Sequence, residues 1–414
     1  MTVTTVEHTP SEPAARVRPA KTMKASVLRK FGGPEVLSYE EIPTPEPKPG
    51  HILIKVLAAG LNRLDHYLRE GSVMPNLPLP HVLGVDAVGE IVQFGEGVPS
   101  FQIGERVIPY AGFTLREEDD LNRPLAISPS FVVPGVHLWG SYAQYMEVPA
   151  RWTVKDETGL SPAEVATLPV VLGTSVRAVK RVGEVKAGNT VLVTAGASGS
   201  GNMHIQVAKA LGARVAATVR SDDKGEFVKS QGADLVINTK RESVVERVKA
   251  WTSGQGVDVA IDNVGGSELI KTIDAIRPFG IVVLYGFMGG ELAQINVREL
   301  FFTQKQLRGT IFADPEDLQW GLEQVRLGRI KPALDRTFPL NQAAEAHRLI
   351  TTNDVKGNFV LLPWATSEQA CQQNESSQPQ AMEDRTVNNF IHRCKPERTV
   401  RVAAVEKSRS GPIA

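Results

Sequence analysis

From Asn189 onward, short apolar runs alternate with mixed stretches. TVLVTA, RVAATVR, DLVIN, VDVAIDN and GIVVLYG read as buried strands. NMHIQVAKALGA, DKGEFVKSQGA and the segments around RESVVERVKAW and SELIKTIDAI read as helices. Repetition of this βαβαβ kind predicts a parallel, doubly wound sheet. LRGTIF is expected to add one more strand. Between Met23 and about Val148 the texture is strand-like and punctuated by Pro and Gly. HILIKVLAAG alternates as a strand does, and GVDAVGEIV and GERVIP are short apolar runs bounded by glycine. That spacing predicts an irregular β-barrel or sandwich. QAAEAHRLI and KGNFVLL read as a helix and a strand that return to this first unit. The fold class is therefore α/β, a β-rich domain joined to a doubly wound parallel sheet.

The two ends lack such patterning. Residues 1–22, rich in Thr, Pro, Glu and Ala, are expected to be a disordered arm. Residues 364–414, with QACQQNESSQPQAMEDRTVNN, are expected to be a disordered tail. The body then divides into 23–155 with 310–363 as the β-rich unit and 156–309 as the sheet unit. Its 414 residues suit two or three compact units. Lys and Arg number 46, as do Asp and Glu, so no global positive field exists to hold nucleic acid or an anionic membrane. No apolar run approaches the roughly 20 residues of a membrane helix. MTVTTVEHTP has no basic region followed by an apolar core, so a cytoplasmic protein without a secretion signal is expected. The only cysteines, Cys371 and Cys394, fall in the tail, which excludes a Cys-rich zinc site.

The strongest chemical signal is VLVTAGASGSGNMHIQVAKALGA. A strand runs into Gly196, Ala197, Ser198, Gly199, Ser200 and Gly201, and a helix follows at once. Small residues let the backbone turn tightly against a pyrophosphate, and the helix N-terminus offers free N–H groups. Ser198 stands where the G-x-G-x-x-G pattern has its middle glycine. The next strand ends without a carboxylate, at Arg220 and Ser221, with Lys224 close behind. Two cations and a hydroxyl suit a 2′-phosphate, which points to NADPH over NADH. Asp222 and Asp223 reduce that field or cap the next helix.

With these residues in hand, the body resembles the medium-chain dehydrogenase/reductase superfamily, and within it the zinc-independent quinone oxidoreductase and enoyl reductase branch. The motifs, in order, are KPGHILIKVLAAGLNRLDHYLREG, LPHVLGVDAVGEIVQFGEGV, FQIGERVIPY, GSYAQYMEVPA, VATLPVVLGTSVRAV, AGASGSG, GVDVAIDNVGG and KGNFVLL. The resemblance implies a GroES-like catalytic domain, a Rossmann domain, a cleft between them for cofactor and substrate, and a homodimer or homotetramer. Zinc-dependent members place their ligands where this sequence has Asn62, Val85 with Asp86, and Val170. Val has no donor atom and an amide is a poor one, so the likeness implies NADP without zinc. The segment 110–139, which holds structural zinc in relatives, has no cysteine.

A metal-free site suits an acceptor already activated by conjugation, a quinone or an α,β-unsaturated carbonyl. A zinc-lacking alcohol dehydrogenase-like protein acting on another carbonyl, or a non-catalytic NADP-binding module, are the alternatives. In GLNRLDHYLREG the resemblance implies that Asn62 and Asp65 orient substrate and that Tyr67 donates a proton. Asn-x-x-Asp is also a helix-capping pattern, and a packed aromatic is the competing role for Tyr67. Thr174, Asn263, Tyr285, Gly286, Lys356 and Asn358 are implied cofactor contacts. Trp139, Tyr142 and Tyr145 are further aromatics for a substrate wall, although the resemblance gives the GSYAQY motif of Tyr142 a packing role first.

Overall fold

The computed structural model describes residues 19–366 other than 99 and 353, together with residue 369. The first unit opens with β1 (Thr22–Leu28), β2 (Leu37–Pro43) and β3 (His51–Leu61), which runs directly into α1 (Arg63–Glu70). β4 (His81–Val82), β5 (Val88–Phe94) and β6 (Arg106–Pro109) follow. β7 (Phe113–Thr114) pairs with β8 (Phe131–Val132) inside the 110–139 segment. β9 (Tyr145–Pro149), β10 (Thr153–Lys155), α2 (Pro162–Val165) and α3 (Pro169–Val176) lead to the second unit.

In that unit strands and helices alternate as β11 (Thr190–Val193), α4 (Gly199–Ala210), β12 (Arg214–Val219), α5 (Asp223–Ser230), β13 (Leu235–Asn238), α6 (Val244–Trp251), β14 (Val257–Asp262), α7 (Glu268–Ala275) and β15 (Ile276–Leu284). After α8 (Val297–Thr303), β16 (Gln306–Gly309) and α9 (Pro315–Arg326), the chain returns to the first unit through β17 (Leu334–Pro339), α10 (Ala343–Leu349) and β18 (Asn358–Leu362).

The second unit is a six-stranded parallel sheet of order β13-β12-β11-β14-β15-β16, the Rossmann order. Its central strand explains its own sequence: Val191, Leu192 and Val193 are all fully buried because helices cover both faces. The first unit is a mixed seven-stranded sheet, β10-β6-β5-β3-β18-β17 with β9 also on β3, and a three-stranded sheet, β2-β1-β4. The residues of β3 are shared out along its length. Its first half pairs with β9, while Ala59, Gly60 and Leu61 pair with β18, so the late segment closes the barrel beside α1.

Four boundaries differ from the sequence reading. α9 packs on α3, because Gly321 leaves room for Leu172 and Gly173 for Ala313; Leu318 and Val325 join the Rossmann-side core. α2 goes the other way. Ala163, Val165 and Ala166 pack with Ala58, Val88, Val360 and Leu362 of the barrel. At the ends, Thr22 already pairs with Pro43, and Trp364 is anchored: its indole N–H donates to the Val56 carbonyl at 2.9 Å and its ring meets Tyr145 edge-on. An amphipathic ring with one polar edge is held by such a pair of contacts even within a polar stretch. Cys371 and Cys394, and most of both expected disordered ends, lie outside the described residues. Among the described residues no helix is long and apolar enough to cross a membrane.

Candidate functional site

The Gly-rich turn is built by its own backbone. After β11, Ala195 adopts a left-handed φ of 48° and the chain reverses into α4. Ser198 is the helix cap: its Oγ accepts the Gly201 N–H at 3.0 Å and donates to the Ala195 carbonyl at 2.8 Å. The departure from glycine at this position is thus a capping residue, worth about 1 kcal/mol to a helix start. Gly201 is required by closeness, since a Cβ there would lie 2.2 Å from the Ala195 carbonyl oxygen. Gly196 packs close under Ala217. Beyond the cap, a helix start leaves its first N–H groups without carbonyl partners inside the helix, the arrangement that can hold a phosphate.

β18 clamps this turn from the other unit. The Gly357 N–H donates to the Ala197 carbonyl at 3.2 Å, and Asn358 Nδ2 donates to the Thr167 carbonyl at 3.0 Å. Asn358 Oδ1 fills the space where a Cβ on Gly199 would sit, 1.6 Å away. Lys356 reaches the end of β12 and lies 3.5 Å from Asp223.

Around that strand end, Arg220 is exposed, while Ser221 and Lys224 are half-buried. Burial pushes the Lys224 ammonium down, against the pull of Asp223, Asp354 and Asp335. A hydrogen bond from Ser221 and the charge of Lys356 hold Asp223 below the usual carboxylate range. Asp222 is turned away, paired with Arg241 and accepting from Asn238 Nδ2 at 2.8 Å.

Behind the turn lies a polar cluster that local sequence signals did not reveal. Ser200 Oγ is 3.0 Å from the Tyr285 hydroxyl, which burial keeps protonated by pushing its pKa up. The Tyr285 ring stacks on His204 at 4.7 Å. His204 is fully buried, pushed down to about 4 by that burial, and its Nδ1 faces the Ser200 carbonyl and Ser175 Oγ. A neutral imidazole in α4 therefore supports the aromatic wall. Asn263 is buried and exchanges hydrogen bonds with Thr194, so its side chain shapes the loop end rather than projecting from it. Gly286 allows that loop to pass close, since a Cβ there would lie 2.8 Å from the Asn263 carbonyl oxygen.

On the barrel side, Asp65 has no exposed surface. Its Oδ2 accepts the Asn62 backbone N–H at 2.8 Å and the Tyr142 hydroxyl at 3.2 Å, and its Oδ1 accepts the Gly84 N–H at 3.2 Å. Asp65 thus holds the start of α1, and Tyr142 is spent on Asp65 instead of lining a substrate wall. Tyr145 is likewise spent on Trp364, while Trp139 is 43% exposed. The Asn62 amide turns to a second buried carboxyl: Nδ2 donates to Asp86 Oδ2 at 2.9 Å. Asp86 Oδ1 accepts the Val170 N–H from α3 at 2.8 Å. Burial pushes both Asp65 and Asp86 up to about 7.

Val170, which Asp86 ties to Asn62, is one wall of an apolar cavity lined also by Tyr110, Pro169, Thr174 and Phe312. Tyr67 is half-buried and stacks on Phe287 of the Rossmann unit at 5.5 Å, so α1 meets the loop after β15 across the cleft. Burial pushes the Tyr67 hydroxyl up; the nearby Arg63 opposes that rise. The structure thus links Asn62 through Asp86 to Val170 of the cavity that Thr174 also lines, sets Tyr67 on Phe287, and brings Asn358 against Gly199 at the Gly-rich turn. Arg220, Ser221 and Lys224 lie beyond the turn.

The donor set does not suit zinc. Val85 and Val170 have no side-chain donor atom, and the Asn62 amide and Asp86 carboxylate are bonded to each other. Among the described residues, no three His, Cys, Asp or Glu side chains gather in a way that could hold a metal ion.

Residues 48–158 match the alcohol dehydrogenase GroES-like domain family and residues 199–326 the zinc-binding dehydrogenase family. The chain is 30% identical over 356 residues to 2-haloacrylate reductase from Burkholderia sp, covering 82% of this chain and 99% of that one. It is 28% identical over 353 residues to quinone oxidoreductase from Rattus norvegicus, covering 83% and 98%. Among solved structures, an NAD-dependent alcohol dehydrogenase superposes with a TM-score of 0.77 at 34% identity, covering 82% of this chain and 99% of that one.

Proposed function

This chain belongs to the medium-chain dehydrogenase/reductase superfamily, in its quinone and enoyl reductase-like branch, and we propose that within it the protein is an NADPH-dependent, zinc-independent reductase of quinones or α,β-unsaturated carbonyl compounds. The observation that carries the reading is the chain Asn62–Asp86–Val170. Three segments that zinc would tie together are tied by hydrogen bonds of 2.9 and 2.8 Å. With no Lewis acid built in, the acceptor must bring its own activation through conjugation.

When bound, NADPH supplies a hydride from carbon 4 of its nicotinamide. The residues of this chain do the rest. The α4 N-terminus and the turn Gly196–Gly201 receive the pyrophosphate, and Asn358 and Gly357 brace that turn. Arg220, Lys224 and Lys356 supply positive charge for a 2′-phosphate. Phe287 fixes the Tyr67 ring at the cleft, and its hydroxyl, or water, returns a proton as the acceptor gains the hydride. Tyr110, Val170 and Phe312 give the neighbouring cavity apolar walls.

NADH is the second reading, and Asp223 favours it: a carboxylate at the start of α5 can take ribose hydroxyls. Rates with NADPH and NADH side by side, in wild type and R220A, test the choice. We expect a preference for NADPH that narrows several-fold in R220A. An unchanged cofactor ratio would remove Arg220 from the 2′-phosphate site. Tight NADPH binding with no turnover on any quinone or enone would instead favour a binding module.

A further inference from the structure

We infer that Asp223 is a specificity-determining residue that competes with the 2′-phosphate of the cofactor for the donors at the end of β12, and so holds down the preference for NADPH over NADH. The inference rests on the reading above, in which Lys224 and Lys356 meet a phosphorylated dinucleotide.

Two carboxylates stand at the start of α5, and they are engaged differently. Asp222 is paired with Arg241 and accepts from Asn238 Nδ2 at 2.8 Å. Asp223 meets Lys356 instead, with 3.5 Å between its Oδ2 and the ammonium nitrogen. Ser221 gives it a hydrogen bond, and the charge of Lys224 acts on it as well. Asp223 therefore gathers a hydroxyl and two ammonium groups. These are the kinds of donor that suit a 2′-phosphate, so an anion of the chain already sits among the donors for an anion of the cofactor.

The two lysines come from different parts of the fold. Lys224 lies in the first turn of α5. Lys356 precedes β18, and its backbone N–H donates to Asp335 Oδ2 at 2.7 Å. Asp335 is occupied by that bond and by Arg336 at 3.4 Å. Asp354 adds negative charge near Lys224. Among the described residues, Asp223 is the carboxylate that pairs with the Lys356 ammonium.

Exposure decides how this pair behaves. The Asp223 side chain is 63% exposed and that of Lys356 33%, so water and salt screen the contact and it adds little to the stability of the fold. It can be given up without disturbing the structure. A bound 2′-phosphate carries about −1.5 to −2 charges and three acceptor oxygens, against the single charge of a carboxylate. It can win Lys356 and the Ser221 hydroxyl only by taking them from Asp223. NADH brings no phosphate to this place and meets no such competition. The carboxylate thus lowers affinity for the phosphorylated cofactor and leaves the other untouched.

Removing the charge of Asp223 while keeping its shape tests this. Calorimetric titration of the full chain with 2′,5′-ADP and with 5′-AMP separates the 2′-phosphate from the rest of the nucleotide. We expect D223N to bind 2′,5′-ADP roughly threefold more tightly than wild type does, the scale of an exposed ion pair, with 5′-AMP unchanged. In a K356M background the same substitution should gain less, because the contested ammonium is gone. An equal gain with and without Lys356 would overturn the inference.

The remaining outcomes separate the inference from the reading beneath it. If wild type and D223N prefer 2′,5′-ADP to the same degree, the inference falls and the NADPH reading stands. If D223N loses affinity for 5′-AMP and gains none for 2′,5′-ADP, the inference falls and Asp223 becomes a ligand of ribose hydroxyls. If neither protein prefers 2′,5′-ADP, the NADPH reading falls and takes the inference with it.

Discussion

Asp65 shows how one buried side chain can organise a site without entering it. Three donors converge on its carboxyl, from Asn62, Gly84 and Tyr142, and an asparagine could satisfy only part of that set. D65N is expected to lose roughly 2–3 kcal/mol of stability, read as a fall in Tm, because N–H would meet N–H inside the protein. An unchanged Tm would mean that the cluster is not structural. The pH dependence has a definite sign. Burial pushes the folded-state carboxyl up to about 7, well above an unfolded aspartate. The folded protein therefore binds more protons between about pH 4 and 7, and the contribution of Asp65 to stability falls as pH rises through that window. Unfolding curves against pH should show a downward component of up to ~1.4 kcal/mol per pH unit that D65N lacks. Tyr67 makes a different test. Y67F should lower turnover far more than it changes NADPH binding, and full turnover would leave Tyr67 as the packing partner of Phe287.

At the level of elements, the meeting of α4 and β18 holds the cofactor side together. Gly199 and Asn358 occupy one space, one as the absence of a side chain and the other as its filling. G199A should weaken NADPH binding at least tenfold by pushing Asn358 off the Thr167 carbonyl, and N358A in the same chain should restore part of it. Titrating NADPH fluorescence measures both; equal affinity in G199A and wild type would discard the clamp.

Local pattern made much of this fold legible. The apolar runs of β11, β12 and β14 and the turn Gly196–Gly201 could be read directly, because periodicity and glycine act over a few residues. The placement of α9 and α2 could not be read, since an apolar helix face does not state which core it will meet. The Asp65–Tyr142 bond joins residues 77 apart in sequence, and no local signal marks it. His204 carries no local signal for the same reason: its partners Ser175 and Tyr285 come from other elements.

For the whole molecule, the open edge of the Rossmann sheet calls for explanation. β16 ends that sheet, and in the flanking sequence Leu292, Val297, Phe301, Phe302 and Ile311 are all at least 59% exposed. An unpaired strand edge beside apolar side chains is a template for association. We propose that a second copy covers it, as the family resemblance led us to expect. Replacing Phe301 and Phe302 by Glu should convert a dimer or tetramer to smaller species in light scattering; a monomeric wild type would end that proposal.

The most direct measurement takes protein dialysed against a strong chelator, with its metal content quantified, and follows NADPH oxidation with 1,2-naphthoquinone and with a 2-enone. We expect turnover with at least one acceptor that is undiminished by chelation and unaffected by added zinc. Stoichiometric zinc surviving dialysis, or activity that vanishes with the metal and returns on its addition, would contradict a site held together by Asn62, Asp86 and Val170 alone.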